Sequence, residues 1–259
     1  MDTLPPRQPL NKQVIRFSNG NQAQAVFLSM DENVTDLVHT LGLPQPGALM
    51  MIAGGASIME KHTSFELAPL FTDSIAHVAA SLDALIIDGG TQAGVMALIG
   101  LGVAQQQHKP TLLGVAPAGL VTYPGKSTDK TSSEAVSLDP NHSHFVLVDT
   151  DEWGGETETM YELAQVLSQN SPSIAMLING GGIAKSEVLH NVRQRRPIII
   201  FEGSGRLADE IASMVRNKRI PPPEPELAEI IADGDLYLLP LTSSLADLEQ
   251  LTLRLLRKQ

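Results

Sequence analysis

The chain has no cysteine in 259 residues, which excludes disulfides and cysteine-ligated metal. Aromatic residues make up only 4%, too few for the stacking platform on which single-stranded nucleic acid lies. Positive charge is also short: 18 Lys and Arg against 29 Asp and Glu leave a formal net charge of −11. A protein that neutralises a phosphate backbone carries the opposite balance, so nucleic acid is not an expected partner. The one basic cluster, Arg193, Arg195 and Arg196, reads as a solvated helix end where cations complement the dipole. No apolar run approaches the ~20 residues that span a bilayer, and the proline-rich start MDTLPPRQPLNKQ has no signal-peptide core. The expected location is the cytoplasm, without a membrane span.

Glycine, by contrast, is placed with a pattern. Ala48 to Ser57, Ala84 to Met96, Ile174 to Gly182 and Pro197 to Arg206 each run from an apolar stretch straight into glycines and then into a helix-like segment. A glycine at such a turn admits positive φ and lets a ligand approach the backbone. The helix behind it offers unpaired amides and the positive end of its dipole, which suits a phosphate.

Asn-Gly within Ser18 to Asn21, between Val14–Phe17 and Gln24–Phe27, signals an N-terminal β-hairpin. A short helix is expected over Thr35 to Leu41, capped by Thr35. Strands are expected at 48–52, 84–87, 111–115, 144–148, 174–178, 197–201 and 235–239. Helices are expected near 63–81, 93–106, 156–168, 183–194, 206–217 and 243–257. The strands are nearly continuous apolar runs, as in a sheet covered on both faces. Their alternation with helices predicts an α/β, Rossmann-like doubly wound, mainly parallel sheet of about seven strands plus the hairpin. The expected organisation is residues 1–46 as hairpin and short helix, joined to a nucleotide-binding unit over 47–259. Ligands in such sheets sit at the carboxyl ends of the strands. Two segments break the rhythm: the long polar stretch Pro117 to His142, read as a lid or an insertion, and PPPEPE at Pro221 to Glu226, read as a stiff polyproline connector.

Asp88 to Gly100 (DGGTQAGVMALIG) followed by Thr111 to Pro117 (TLLGVAP) resembles the nucleotide loop of the lonely-guy phosphoribohydrolases. Asn179 to Glu187 matches their second block in two glycines and the terminal glutamate, but lacks its proline, third glycine and threonine. A more specific likeness covers about Ala48 to Val215. Leu138 to Asp149, Trp153 to Glu158 and Glu202 to Ala212 (EGSGRLADEIA) resemble the prokaryotic relatives of the N-terminal domain of melastatin-type TRP channels. That domain lies in the SLOG superfamily. The resemblance implies a Rossmann-like binder of nucleotides and NAD-derived ligands such as ADP-ribose. It also implies Glu187 as the catalytic carboxylate if the protein is a hydrolase. The arginine that such a hydrolase uses has no counterpart in Gly154 to Val166, which holds no Arg or Lys.

The expected ligand contacts are Gly54, Gly55, Ala56 and Ser57; Gly89, Gly90, Thr91 and Gly94; Ala116, Pro117 and His142; Gly180, Gly181 and Gly182; and Glu202, Gly203, Ser204, Gly205 and Arg206. Arg206 has a competing reading as an ion pair with Asp209 or Glu210. Trp153 is read either as a pocket cover or as packing. No metal site is expected, since His142 and His144 lack partners at ligand spacing, and no cofactor is required beyond a nucleotide ligand. Three function classes stay open: a nucleotide-ligand sensor that reports to an effector, an N-glycosidic or phosphoribosyl hydrolase, and an assembly domain with a vestigial pocket. Homo-oligomerisation is compatible with all three.

Overall fold

The computed structural model describes residues 10–29, 33–55, 67–127, 135–219 and 221–257. The hairpin is β1 (Asn11–Arg16) and β2 (Gln22–Leu28), followed by α1 (Val34–Leu41) and β3 (Ala48–Gly54). A π-helical turn, Leu70–Ile75, runs into α2 (Ala76–Ser81), then come β4 (Ala84–Asp88), α3 (Gly94–Gln105) and β5 (Thr111–Pro117). The short β6 (Val121–Thr122) and β7 (Val136–Ser137) pair with each other before β8 (His144–Val148). The rest is α4 (Thr157–Leu167), β9 (Ser173–Ile178), α5 (Gly182–Arg193), β10 (Ile198–Glu202), α6 (Arg206–Arg216), α7 (Pro225–Asp233), β11 (Leu236–Pro240) and α8 (Leu245–Arg257).

Among the described residues the main sheet has nine strands in the order β1-β2-β8-β5-β4-β3-β9-β10-β11. Only β1–β2 is antiparallel; β2 enters the parallel array beside β8, with Ala25 opposite Phe145. The expected mainly parallel α/β sheet is what forms, and the hairpin extends it. Period-2 alternation sorts each strand onto two faces. Leu49 and Met51 of β3 pack with Leu85, Leu113 and residues of α4 to α7. Met50 and Ile52 pack with Ile86, Leu112, Phe71 and residues of α3 and α8. Both faces are therefore covered, which explains the continuous apolar runs.

A third cluster sits beneath the hairpin. Ile15, Phe17 and Ala25 meet Phe145 and Leu147, and Val121 and Leu138 close over them. The flanks of the long polar segment thus take the place of a helix on that stretch of sheet. Whether residues 128–134 form a lid falls outside the described residues.

Three local expectations are corrected. The cap of α1 is Asn33, whose side chain accepts the Thr35 amide at 2.7 Å. Asn33 stands just outside the helix and reaches the orphan amide, while Thr35 is already helical. Pro225 and Glu226 belong to α7, where Pro225 opens the helix; proline at the first helical position gives up an amide that would be unpaired anyway. The basic cluster is not uniformly solvated. Arg193 pairs with Glu229 at 2.7 and 2.9 Å, but Arg196 is buried, donates to Asn191 Oδ1 at 2.6 Å and is lowered by burial to about 10.

Candidate functional site

The parallel strands deliver their glycine turns to one edge of the sheet, at the point where the order passes from β4-β3 to β9-β10. A cavity of about 210 Å³ opens there. Gly54 and Gly55 enter from the end of β3, Gly89 and Thr91 from the turn after β4, Gly181 from the β9–α5 turn, Gly182 and Glu187 from α5, and Arg206 from α6. Close packing accounts for several of the glycines. A Cβ at Gly54 would lie 2.6 Å from Ile178 O, and one at Gly55 would lie 2.8 Å from Asn179 Oδ1. At Gly182 a Cβ would meet open space.

The amino terminus of α5 carries the clearest signal. Gly181 stands at its N-cap with no side-chain cap. Among the described residues no acceptor engages the amides of Gly182, Ile183 or Ala184, all three of which line the cavity. The starts of α3 and α6 differ. The Val95 amide donates to Gly55 O at 3.3 Å, and the Ala208 amide donates to Asn179 O at 3.0 Å. Arg206 holds a left-handed φ of 52°, and its Nη2 would be 2.7 Å from a Cβ on Gly181. Its guanidinium therefore lies against the free end of α5. Neither Asp209 nor Glu210 pairs with it: Asp209 Oδ1 accepts the Gly203 amide at 2.6 Å, and no acid among the described residues bonds Arg206.

The opposite wall is acidic. Glu156, at the start of α4, is buried and accepts the Gly154 amide at 2.9 Å; burial pushes its carboxyl up. Glu187 is half-buried and lines the cavity. Burial, then the Glu156 and Asp88 charges, raise it to about 8, so it is a neutral hydrogen-bond donor at neutral pH. Trp153, 38% exposed, and Ile183, 41% exposed, join Ile52, Met96 and Ala184 as the apolar part of the lining.

His142 does not line this cavity. It is buried beneath the glycine loop, with Nε2 donating to Asp88 Oδ1 at 2.8 Å and Nδ1 to Asp139 Oδ1 at 3.1 Å. Burial alone would lower its pKa, but the Asp88 charge and the bonds to both aspartates outweigh it and hold the ring at about 9. Asp88 Oδ1 also accepts the Gly90 amide at 2.7 Å, so the imidazolium pins the loop from below.

Other expected contacts also sit away from the cavity. Gly90, at φ 68°, packs its α-carbon against Gly114 and Phe145, and Gly94, at φ 51°, opens α3. Ala116 and Pro117 are buried in β5. Glu202 is held by Arg216 in a two-pronged pair at 2.5 and 2.6 Å. Ser204 is buried, accepts the Asn179 amide at 2.7 Å and donates to Phe201 O at 2.6 Å, joining the β9 and β10 turns. Gly203 and Gly205 give that turn φ of 94° and 93°, while Gly180 faces a neighbouring cavity. Ala56 and Ser57 lie outside the described residues. Ile52, Met96, Glu156, Ile183 and Ala184 line the cavity without being expected to. Glu156 leaves a trace in the sequence, as a carboxylate at the head of a helix within the Trp153 to Glu158 motif, and Met96 lies within the Asp88 to Gly100 block.

No group of residues that could hold a metal occurs among the described residues, and no helix there is long and apolar enough to cross a membrane. Mouse transient receptor potential cation channel subfamily M member 2 is 26% identical over 233 residues, covering 77% of this chain and 15% of the channel. The subfamily M member-like 2 channel of Nematostella vectensis is 27% identical over 237 residues, covering 74% and 15%. Human subfamily M member 6 is 24% identical over 232 residues, covering 76% and 11%. The chain thus spans only 11–15% of the length of these relatives. Residues 47–250 match the family described as SLOG in TRPM, prokaryote, and with that match the chain belongs to this family.

Proposed function

We propose that the chain binds a nucleotide-derived ligand at this cavity, with ADP-ribose and related NAD-derived nucleotides the first candidates. The carrying observation is the uncapped start of α5, whose three free amides belong to residues that line the cavity, with the Arg206 guanidinium alongside. Free helical amides, the dipole and a guanidinium together favour a phosphate. The acidic wall supports the second half of the reading. Protonated Glu187 and the Glu156 carboxyl offer a donor and an acceptor to ribose hydroxyls, and Trp153 offers a face for a base. A thermal-shift panel of AMP, ADP, ADP-ribose, cyclic ADP-ribose and NAD tests this. Ligand at ~100 Kd adds ~2.7 kcal/mol, and no shift at millimolar concentration would sink the proposal. Calorimetric titration of Arg206→Ala should then show a loss of ~1.5–3 kcal/mol in binding. A loss under about threefold would return Arg206 to the surface.

A second reading, N-glycosidic hydrolysis, is favoured by the Glu156–Glu187 pair at the cavity wall. One carboxyl held neutral beside another is the usual arrangement for acid–base work on a glycosidic bond. Against it stands the lack of a cation in residues 154–166. Incubation with AMP is expected to release no adenine. Base release that disappears in Glu187→Gln would establish the hydrolase instead.

A further inference from the structure

The main sheet ends in two strands of different character. β1 carries Lys12 and Arg16, the kind of charge that discourages a further strand from pairing. β11 reads Leu-Tyr-Leu-Leu-Pro and has no charged residue. Among the described residues it pairs only with β10. The Ile198 amide donates to Asp235 O at 2.9 Å, and the Leu241 amide donates to Glu202 O at 2.9 Å. Backbone groups alternate sides along a strand, so residues 235, 237, 239 and 241 turn theirs towards β10. Those of Leu236 and Leu238, with the Pro240 carbonyl, turn outward. Pro240 has no amide to offer and ends the ladder there.

Beside this rim runs a groove of about 300 Å³, lined by Tyr237 and Leu238 of β11 and by Asp247, Gln250, Leu251 and Arg254 of α8. The four helical positions are spaced i, i+3, i+4 and i+7, which makes them one stripe. An exposed acid stands at one end and an exposed cation at the other. That stripe is self-complementary. A two-fold axis through the rim at Leu238 sets a second β11 antiparallel to the first and reverses α8. Asp247 of each copy then faces Arg254 of the other. An extended segment of unrelated sequence would satisfy the backbone rim but would give the opposed charges of α8 no counterpart.

We propose that β11 and this stripe of α8 form the contact between two copies of the chain, joined edge to edge in one continuous sheet. The inference is independent of the nucleotide reading.

Sedimentation velocity on the whole chain over a concentration series tests it, with circular dichroism confirming that each variant is folded. The wild type should reach a species of twice the chain mass. Leu238→Pro removes only an outward amide, which an edge strand tolerates. It should still weaken dimerisation at least about tenfold, through two lost hydrogen bonds. Asp247→Arg and Arg254→Glu should each weaken it at least about tenfold, since each creates two like-charge contacts. Mixed in equal amounts, these two variants should associate as strongly as the wild type, because the mixed pair restores both contacts. Should Asp247→Arg misfold on losing its bonds to Ser244, Leu238→Pro and Arg254→Glu still decide. A monomer at every concentration would leave the rim to an extended segment of another protein and overturn self-pairing. A dimer that Leu238→Pro and Arg254→Glu leave intact, or a mixture of folded variants no stronger than its parts, would overturn it as well.

Discussion

Replacing His142 with alanine is expected to remove about 3–5 kcal/mol of stability, the range for breaking a buried ion pair by deleting one partner. The imidazolium is enclosed between Asp88 and Asp139, and ring stacking on Phe145, with centroids 5.4 Å apart, fixes its plane. Without it, two carboxylates remain in the interior with no counter-charge. Asp88 Oδ2 already lacks a partner among the described residues. Natural domains hold only about 5–15 kcal/mol in all, so urea denaturation should show a large fall in midpoint. A change below about 1 kcal/mol would mean the cluster carries little charge.

The same cluster fixes the sign of a pH effect. His142 is raised in the folded protein to about 9. Its contribution is therefore complete below its unfolded value near 6.5 and is lost as pH climbs through about 9. Glu187, raised to about 8, acts in the same direction from a lower starting point, losing its contribution between about 4.3 and about 8. Stability should fall towards alkaline pH in two overlapping stages.

Gly181→Asp is expected to weaken nucleotide binding by about 3 kcal/mol, roughly 100-fold, without harming the fold. Gly181 has an extended backbone, φ −134° and ψ −151°, which any residue adopts. The atom a new Cβ meets is the end of the flexible Arg206 side chain. An aspartate there caps α5, which relative to glycine stabilises a helix by only a few tenths of a kcal/mol, and it occupies both the free amides and the guanidinium. Melting temperature without ligand should hold or rise while the ligand-induced shift disappears. Normal binding by the folded variant would place the phosphate elsewhere. Gly90 offers no such test. Its φ is left-handed and a Cβ added there would lie 2.8 Å from the Gly114 α-carbon, so any substitution is a fold defect.

The parallel strands are legible in the sequence because each is buried on both faces and therefore written as an unbroken apolar run, such as Ala84 to Ile87. The α7 helix is not, because Pro221 to Glu226 suits an extended connector until the turn after Pro225 is seen. At the site, the glycine turns tell where ligands approach but not which glycines serve packing. Gly90 and Gly54 have neighbours from other strands that no local pattern records. His142 reads as a pocket residue because the aspartates that claim it lie three and 54 positions away. Glu202 is claimed by Arg216 from the far end of α6, another contact without a local signature.

The cavity sits where the strand order passes from β3 to β9, the one junction that joins the segment β8-β5-β4-β3 to β9-β10-β11. Its walls come from both segments: Gly54, Gly89 and Thr91 from one, Glu187 and Arg206 from the other. An occupant there acts as a cross-brace between parts that could otherwise open separately. Saturation should then slow amide exchange in β4 and β10 together, on opposite sides of the seam, and not merely in the turns that touch the ligand.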